Sequence, residues 1–172
     1  YELNTSVQCG ELQGPVGLCL ERPVRLEAAR AGAVALDAGK RFGVVGVTAK
    51  SVSLTGLNIT GGSIGGVSII AGAEAHLIQC VIKDNRVGWP GGSAAGLMIA
   101  GHATLTECII SGNSADYNHY GYALGGGAFI AGSATFQHCQ IFGNAAATSG
   151  GGLAIYGQAT LTSCTINGNR AG

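Results

Sequence analysis

The chain has 172 residues, of which 47% are apolar and only 10% are charged, and its nine basic and nine acidic residues cancel. Such a balance provides no attraction to nucleic acid or to anionic lipid, so we expect neither as a partner. No apolar run approaches the roughly 18 residues that a membrane span needs, so no membrane insertion is expected. The 31 glycines and the scarcity of charge point away from helices.

The first segment, residues 1–21, carries no repeat. We expect it to be an N-terminal cap or a partner-facing extension of one domain that spans residues 22–172. Cys9 and Cys19 lie here in an irregular segment of glycine and proline, a context that favours a small disulfide loop between them. Because the chain opens at Tyr1 without methionine, we expect it to be processed, trimmed or a fragment.

The next segment reads as short strands. PVRLEA and AVALDAG resemble the strands of an early, less regular turn, and SVSLTGLNITGG follows at residues 51–62. Asn58 in this last run and Asn4 near the start begin two sequons. Both are glycosylation acceptors if the protein passes through a eukaryotic secretory pathway, although two short sequons also arise by chance.

The second half contains four copies of one phrase, from AHLIQCVIKDN to ATLTSCTINGN. In every copy an alanine stands five residues before the cysteine, an isoleucine two after it and an asparagine five after it. The copies repeat every 25 to 31 residues. Such a period predicts a solenoid, because one unit cannot bury its apolar face alone and must stack on its neighbours.

Each unit begins with glycines and a short alternating run such as GVSII or GLMI, which predicts a strand. A second strand follows, with the alanine and a leucine or phenylalanine facing inward. The cysteine and the isoleucine must also face inward, but their parity differs from that of the leucine. The chain therefore turns a corner between the leucine and the cysteine.

Three strands per unit around a compact interior predict an all-β fold, a parallel β-helix of about five to six rungs. The repeated asparagines are expected to stack at one corner, where this residue tolerates left-handed backbone and its amide bonds to identical amides above and below. The repeated cysteines are expected to stack as free buried thiols rather than as bridges. These two ladders comprise Asn85, Asn113, Asn144 and Asn169, and Cys80, Cys108, Cys139 and Cys164.

All variation in unit length falls in the loop after each asparagine, and in solenoids that face is commonly the binding face. The loops hold planar aromatics beside polar residues, which suit stacking on sugar rings or anchoring of a protein partner. The alternative is that the loops fold back over the wall of the helix. The candidate binding residues are Trp89, Tyr117, His119, Tyr120 and Tyr122.

With GGGLAI followed by ATLTSCTINGN, the chain resembles right-handed parallel β-helix repeat proteins. These units look like the passenger repeats of polymorphic outer membrane proteins. Residues 23–62 are similar to the opening turns of pectate-lyase-like β-helices. The resemblance covers roughly residues 15–172 and implies the right-handed form of the fold. It leaves activity open, because the family contains lyases, hydrolases, adhesins and structural fibres.

Catalytic constellations are not evident. Asp37, Asp84 and Asp116 are widely spaced, and Asp84 aligns with glycine in every later unit, so no acidic ladder is expected. Glu107 and His138 should be neighbours, either as an exposed cross-strand pair or as an acid/base dyad or metal corner. We expect no cofactor, no metal and no enzyme activity.

The sequence ends at residues 169–172, where the next glycine-led strand would begin. We expect that the chain is cut from a longer array or that another molecule covers the last rung. Stacking on the N-terminal end of a second subunit would propagate into a filament. The sequence therefore predicts a non-catalytic, extracellular or cell-surface structural or adhesive β-helix that self-associates through its uncapped ends. A glycan-recognising, carbohydrate-binding module is one alternative, and a polysaccharide lyase or hydrolase is the other.

Overall fold

A computed structural model of the chain describes residues 2–10, 12, 14–88, 94–116 and 123–172. Regular structure in these ranges consists of strands. The early strands are β1 (Val16–Leu20), β2 (Val24–Glu27), β3 (Val34–Asp37), β4 (Gly43–Val47), β5 (Val52–Thr55) and β6 (Leu57–Thr60). The middle strands are β7 (Val67–Ile69), β8 (Glu74–Ile78), β9 (Val81–Lys83), β10 (Arg86–Val87), β11 (Leu97–Ile99), β12 (His102–Thr106), β13 (Ile109–Ser111) and β14 (Ser114–Ala115). The last strands are β15 (Ala128–Ile130), β16 (Ser133–Gln137), β17 (Gln140–Phe142), β18 (Ala145–Ala146), β19 (Leu153–Ile155), β20 (Gln158–Thr162), β21 (Thr165–Asn167) and β22 (Arg170–Ala171).

The strands form three six-stranded parallel sheets that wrap one core. The first sheet has the order β1-β4-β7-β11-β15-β19, the second β2-β5-β8-β12-β16-β20, and the third β3-β6-β9-β13-β17-β21. Each coil contributes one strand to each sheet, and the whole makes about five turns. The predicted parallel β-helix of about five to six rungs is confirmed.

Equivalent residues of successive coils lie directly above one another. Leu77 pairs with Leu105 and Leu105 with Phe136 in the second sheet. Ile82, Ile110 and Ile141 stack in the same way in the third sheet. All of these side chains are completely buried. Each such Leu or Ile contributes about 1.5–3 kcal/mol relative to an exposed side chain, which is why the register follows the repeat.

The predicted corner between the leucine and the cysteine is confirmed. The residue just before each repeat cysteine has left-handed backbone with φ of 51–54°, and these residues are Gln79, Glu107, His138 and Ser163. A residue in this conformation reverses the parity of inward-facing side chains between the second and third sheets.

The asparagine corner corrects one prediction. None of the four asparagines has positive φ; the left-handed residue stands one position earlier. The left-handed residue is Asp84 (φ 54°) before Asn85, and Gly112, Gly143 and Gly168 before the other three asparagines. Gly61 has the equivalent place in the coil before Asp84. The expectation was wrong because the asparagine side chain, rather than its backbone, is what the corner requires.

A fourth, smaller sheet was not predicted. Its two-residue strands follow the asparagines in the order β10-β14-β18-β22. Three of its own residues, Val87, Ala115 and Ala146, pack with Ala95 and Ala123 in a buried cluster separate from the main core. Two residues are too few to show a period, so the sequence pattern could not reveal these strands.

At the N-terminus the boundary differs from the predicted division at residue 21. β1 pairs with β4 and is therefore the first strand of the first sheet, although the sequence places it in the cap. Its alternation is hidden in a segment rich in glycine and proline. The remaining N-terminal residues cover the first coil: Glu2 bridges to Asp37 in β3, and Val7 bridges to Val16 in β1.

Candidate functional site

The aromatic loop residues of the predicted recognition surface lie outside the described residues. These are Trp89, Tyr117, His119, Tyr120 and Tyr122. Their role stays a prediction.

The asparagine ladder runs through the core side of one corner. Nδ2 of Asn113 donates to the carbonyl of Ile82 in the coil before it (3.0 Å) and to Oδ1 of Asn144 in the coil after it (2.9 Å). Oδ1 of Asn113 accepts from both N and Nδ2 of Asn85, each at 3.1 Å. The same contacts recur from Asn144 to Asn169. The expected amide stack is present, and it satisfies polar groups that would otherwise be buried without partners.

The cysteine ladder consists of four free thiols, of which the first three are buried and Cys164 is partly exposed. Sγ of Cys108 lies 3.3 Å from the carbonyl of Leu77, and Sγ of Cys139 lies 3.4 Å from that of Leu105. Hydrogen bonds to Cys139 and Cys80, together with burial, raise the pKa of the Cys108 thiol. A raised pKa favours the neutral form of the Cys108 thiol, which is the less nucleophilic form.

Cys9 and Cys19 are joined in a disulfide, the pairing that the N-terminal segment indicated. Cys9 is fully buried. Cys19 lies in β1 and pairs in register with Gly46 of β4. The bridge therefore fastens the N-terminal segment to the outer face of the first sheet.

The two sequon asparagines have different surroundings. Asn4 is exposed, and its Oδ1 lies 3.3 Å from Nη2 of Arg41. Asn58 is half-buried in β6, and its Nδ2 donates to the carbonyl of Gly32 at 3.1 Å. A glycan on Asn58 would have to replace that hydrogen bond, so Asn4 is the more accessible acceptor.

The last coil exposes side chains whose equivalents in the middle coils are buried. Ile166 is 48% exposed and Leu161 is 37% exposed, whereas Ile141 and Phe136, their neighbours one coil earlier, are fully buried. Ile155 in β19 is 47% exposed. We call this set the end face. It is an apolar cross-section bordered by unpaired strand edges.

The first sheet carries an apolar stripe on its outer side. Met98 pairs with Phe129 in register, and the ring of Phe129 lies 5.3 Å from that of Tyr156 at an angle of 57°. Tyr156 is 72% exposed. Tilted aromatic pairs at this distance are mutually attractive.

Among the described residues, Glu107 forms no ion pair with His138. Its Oε2 instead accepts from Nε2 of Gln79 at 2.9 Å, one coil earlier. Across the described part of the chain, no group of three or more His, Cys, Asp or Glu residues is arranged to hold a metal ion. In the same ranges no helix is long and apolar enough to cross a bilayer.

A polar cleft lies at the asparagine corner, and sequence reasoning missed it. It has a volume of about 520 Å³ and is lined by Lys40, Ser63, Asp84, Arg86 and Ser114, with three glycines and the ladder residue Asn85. We call it the corner cleft. Asp84 and Arg86 stand two positions apart in one coil, but Lys40 comes from an earlier coil, so no sequence motif joins all three charged residues. The one available signal is Asp84, which replaces the glycine of later units.

The three aspartates that are widely spaced in the sequence have separate roles. Asp37 accepts from the backbone N–H of Gly39 at 2.8 Å. Asp84 lines the corner cleft. Oδ2 of Asp116 lies 2.6 Å from both Nε and Nη2 of Arg86, so this carboxylate positions the guanidinium beside the cleft.

Comparison with known proteins agrees with the fold. A family model described as the right handed beta helix region matches residues 42–172. No curated protein and no solved structure gave a significant match. Because the family model covers more than half of the chain and the coils described above have the architecture it represents, the chain belongs to the right-handed β-helix family.

Proposed function

We propose that this β-helix is a non-catalytic structural or adhesive protein of the extracellular space or cell surface, and that it associates with a second copy of itself through the end face. The observation that carries the proposal is the exposure of Leu161 and Ile166, whose equivalents one coil earlier, Phe136 and Ile141, are fully buried. Burying such side chains against another coil is favourable by about 25 cal/mol per Å² of apolar area.

The ladders supply a second argument. In each coil the backbone N–H of the asparagine donates to Oδ1 of the asparagine above it, as Asn144 does to Asn169 at 3.0 Å. Asn169 presents the same backbone and side chain upward. The end face thus offers hydrogen bonding, register and apolar contact together, which are the components of strand-by-strand association.

The opposite end determines the geometry of the assembly. There the N-terminal residues bridge β3 and β1, while β2 has no strand recorded beneath it among the described residues. Head-to-tail stacking would use the β2 edge and propagate into a filament, whereas pairing of two end faces would close as a dimer. The mass of the assembly distinguishes these two forms.

An extracellular location is supported by the Cys9–Cys19 disulfide. Bridges of this kind persist in oxidising compartments. The burial of Cys80, Cys108 and Cys139 would protect their thiols in the same environment.

Sedimentation of the chain over a hundredfold concentration range tests the proposal, followed by electron microscopy of the most concentrated sample. Ile166→Glu should abolish association because it places a charge on the end face. Ile78→Glu is the matched control, since Ile78 is 38% exposed but lies on the side wall in β8. Monomers at every concentration, or equal effects of the two variants, would contradict self-association.

Carbohydrate binding is a second candidate, favoured by the exposed ring of Tyr156 beside the half-buried ring of Phe129. Aromatic faces of this kind stack on sugar rings. A glycan array probed with the wild-type chain and with Tyr156→Ala and Trp89→Ala tests it. Binding that neither variant changes, or no binding at all, would remove this candidate.

A further inference from the structure

We propose that the corner cleft is a binding site for a small hydroxylated anion. Such a ligand has hydroxyl groups together with one acidic group, either a carboxylate or a phosphate ester. The inference is independent of self-association, because the cleft lies on the side of the β-helix rather than on the end face. Its volume of about 520 Å³ is within the range of small-molecule sites.

The charges of the cleft favour an anion. Lys40, Arg86 and Asp84 are its charged lining residues; Arg86 is paired with Asp116 and Lys83 lies near Asp84, so the unbalanced charge is that of Lys40. No ion pair is recorded for Lys40 with any described residue, so its ammonium is available to a ligand. Arg86 is held at Nε and Nη2 by Asp116, which fixes the plane of the guanidinium before a ligand arrives. A fixed guanidinium and a flexible ammonium are both common partners of carboxylate and phosphate groups.

The remaining polar groups suit hydroxyls. Ser114 donates its hydroxyl hydrogen to Oδ1 of Asp116 at 3.3 Å, which leaves its oxygen as an acceptor toward the cleft. Ser63 and the carboxylate of Asp84 add further acceptors at the same wall. A ligand that carries only an anionic group would leave these acceptors to water, whereas a hydroxylated anion would use them.

The backbone supplies an independent argument. Only seven of the described non-glycine residues have positive φ, and two of them, Lys40 (φ 60°) and Asp84 (φ 54°), line this cleft. At the position of Asp84 the neighbouring coils have Gly61 and Gly112, which adopt the conformation without steric cost. Aspartate tolerates this conformation better than most residues, so what distinguishes Asp84 is that it places a carboxylate where the neighbouring coils have no side chain.

Neighbouring residues make room for Asp84. A Cβ atom on Gly112 would lie 2.8 Å from Oδ1 of Asp84, so the carboxylate occupies the space above that glycine. Lys83, whose Nζ lies 4.0 Å from Oδ2 of Asp84, partly balances the carboxylate. The side chain of Asp84 is therefore accommodated by its surroundings.

Nuclear magnetic resonance titration of the full 172-residue chain tests the proposal. The probes are glucuronate, glucose 6-phosphate, inorganic phosphate and neutral glucose. We expect both acidic sugars to shift the amide signals of Gly62, Ser63, Gly112 and Ser114, inorganic phosphate to bind at least tenfold more weakly, and glucose to cause no shift. Whichever of glucuronate and glucose 6-phosphate binds more tightly identifies the acidic group of the natural ligand as a carboxylate or a phosphate ester. No shift with either acidic sugar, or equal shifts with glucose, would overturn the proposal.

Two variants separate the site from the fold. Lys40→Gly and Asp84→Gly should leave the melting temperature unchanged or raise it, because each removes a strained residue, yet each should weaken glucose 6-phosphate binding at least tenfold. Asp84→Gly should not weaken the binding of inorganic phosphate, which has no need of the carboxylate acceptor. Ser51→Gly is the matched control, since Ser51 has φ 60° but does not line the cleft; its binding should equal that of the wild type. Unchanged affinity in Lys40→Gly would overturn the proposal even if the fold is intact.

Discussion

The two ends of the coil stack are built from the same kind of strand but differ in how far other residues of the chain cover them. At the N-terminal end Val7 and Glu2 bridge two of the three edge strands, β1 and β3, and a disulfide holds the segment in place. At the C-terminal end Leu161 and Ile166 are open to solvent. The comparison shows that coil chemistry alone does not decide whether a rung is buried; what lies above or below it does.

The largest difference between the covered interior and the end face should appear in leucine truncation. Leu105 and Leu161 occupy the same repeat position, but Leu105 is fully buried and Leu161 is 37% exposed. Leu105→Ala should lower the free energy of unfolding by about 2–5 kcal/mol. Leu161→Ala should lower it by less than about 1 kcal/mol, since much of its surface is already hydrated. Urea unfolding of dilute samples measures both, and equal losses would contradict the open end.

The asparagine ladder offers a second matched pair. Asn113→Ala removes four hydrogen-bond contacts in a buried site. It leaves the backbone N–H of Asn85 without its acceptor, whereas Nδ2 of Asn85 keeps the carbonyl of Ile59. We expect a loss of about 2–4 kcal/mol, given about 1–3 kcal/mol for each buried group left unsatisfied. Asn169→Ala, at the half-buried top of the ladder, should cost about half as much. The ladder would be energetically unimportant if Asn113→Ala proved neutral in the same unfolding assay.

Removing the disulfide should convert the covered end into a second open end. Cys9→Ser with Cys19→Ser should cost about 2–3 kcal/mol, because the bridge closes a short loop. Hydrogen exchange should then accelerate at Leu3 and Val7, whose amides donate to Asp37 and Val16. Unchanged exchange at these amides would show that the segment covers the first coil without the bridge.

The smallest expected effect is kinetic. Iodoacetamide should alkylate Cys164 first, because it is the only partly exposed member of the ladder. Cys108 should react last, since burial and thiol hydrogen bonds raise its pKa. Burial of the neutral Cys108 thiol contributes fully to the free energy of unfolding below the ordinary thiol pKa of 9.0. That contribution is lost as the pH rises above this value, because the unfolded chain then ionises more readily. Mass spectrometry of timed samples gives the order, and rapid labelling of native Cys108 would contradict the stacked register.

Much of the fold could be predicted because the repeat sets the register. The spacing from alanine through cysteine to asparagine fixed which side chains face inward, and parity placed the corner before each cysteine, where Glu107 and His138 indeed lie. The asparagine conformation was mispredicted because hydrogen bonding to Ile82 and Asn144 binds the side chain without requiring left-handed backbone.

The candidate site was much harder to predict than the fold. Lys40 and Arg86 are 46 positions apart and stand outside the repeated phrase, so only the stacking of coils brings them to one cleft. Asp84 was visible as an acidic residue at a glycine position, yet its use depends on neighbours from other coils. A period reveals what all units share, whereas a site depends on what one unit does differently.

Hydrogen exchange of the final coil at two protein concentrations tests the central claim most directly. In dilute solution the amides of β21 and β22 should exchange much faster than those of β13 and β14, their equivalents in a covered coil. At high concentration the amides of β21 and β22 should become protected as a second molecule covers the end face. Protection that is already high in dilute monomer, or exchange that concentration leaves unchanged, would contradict the account.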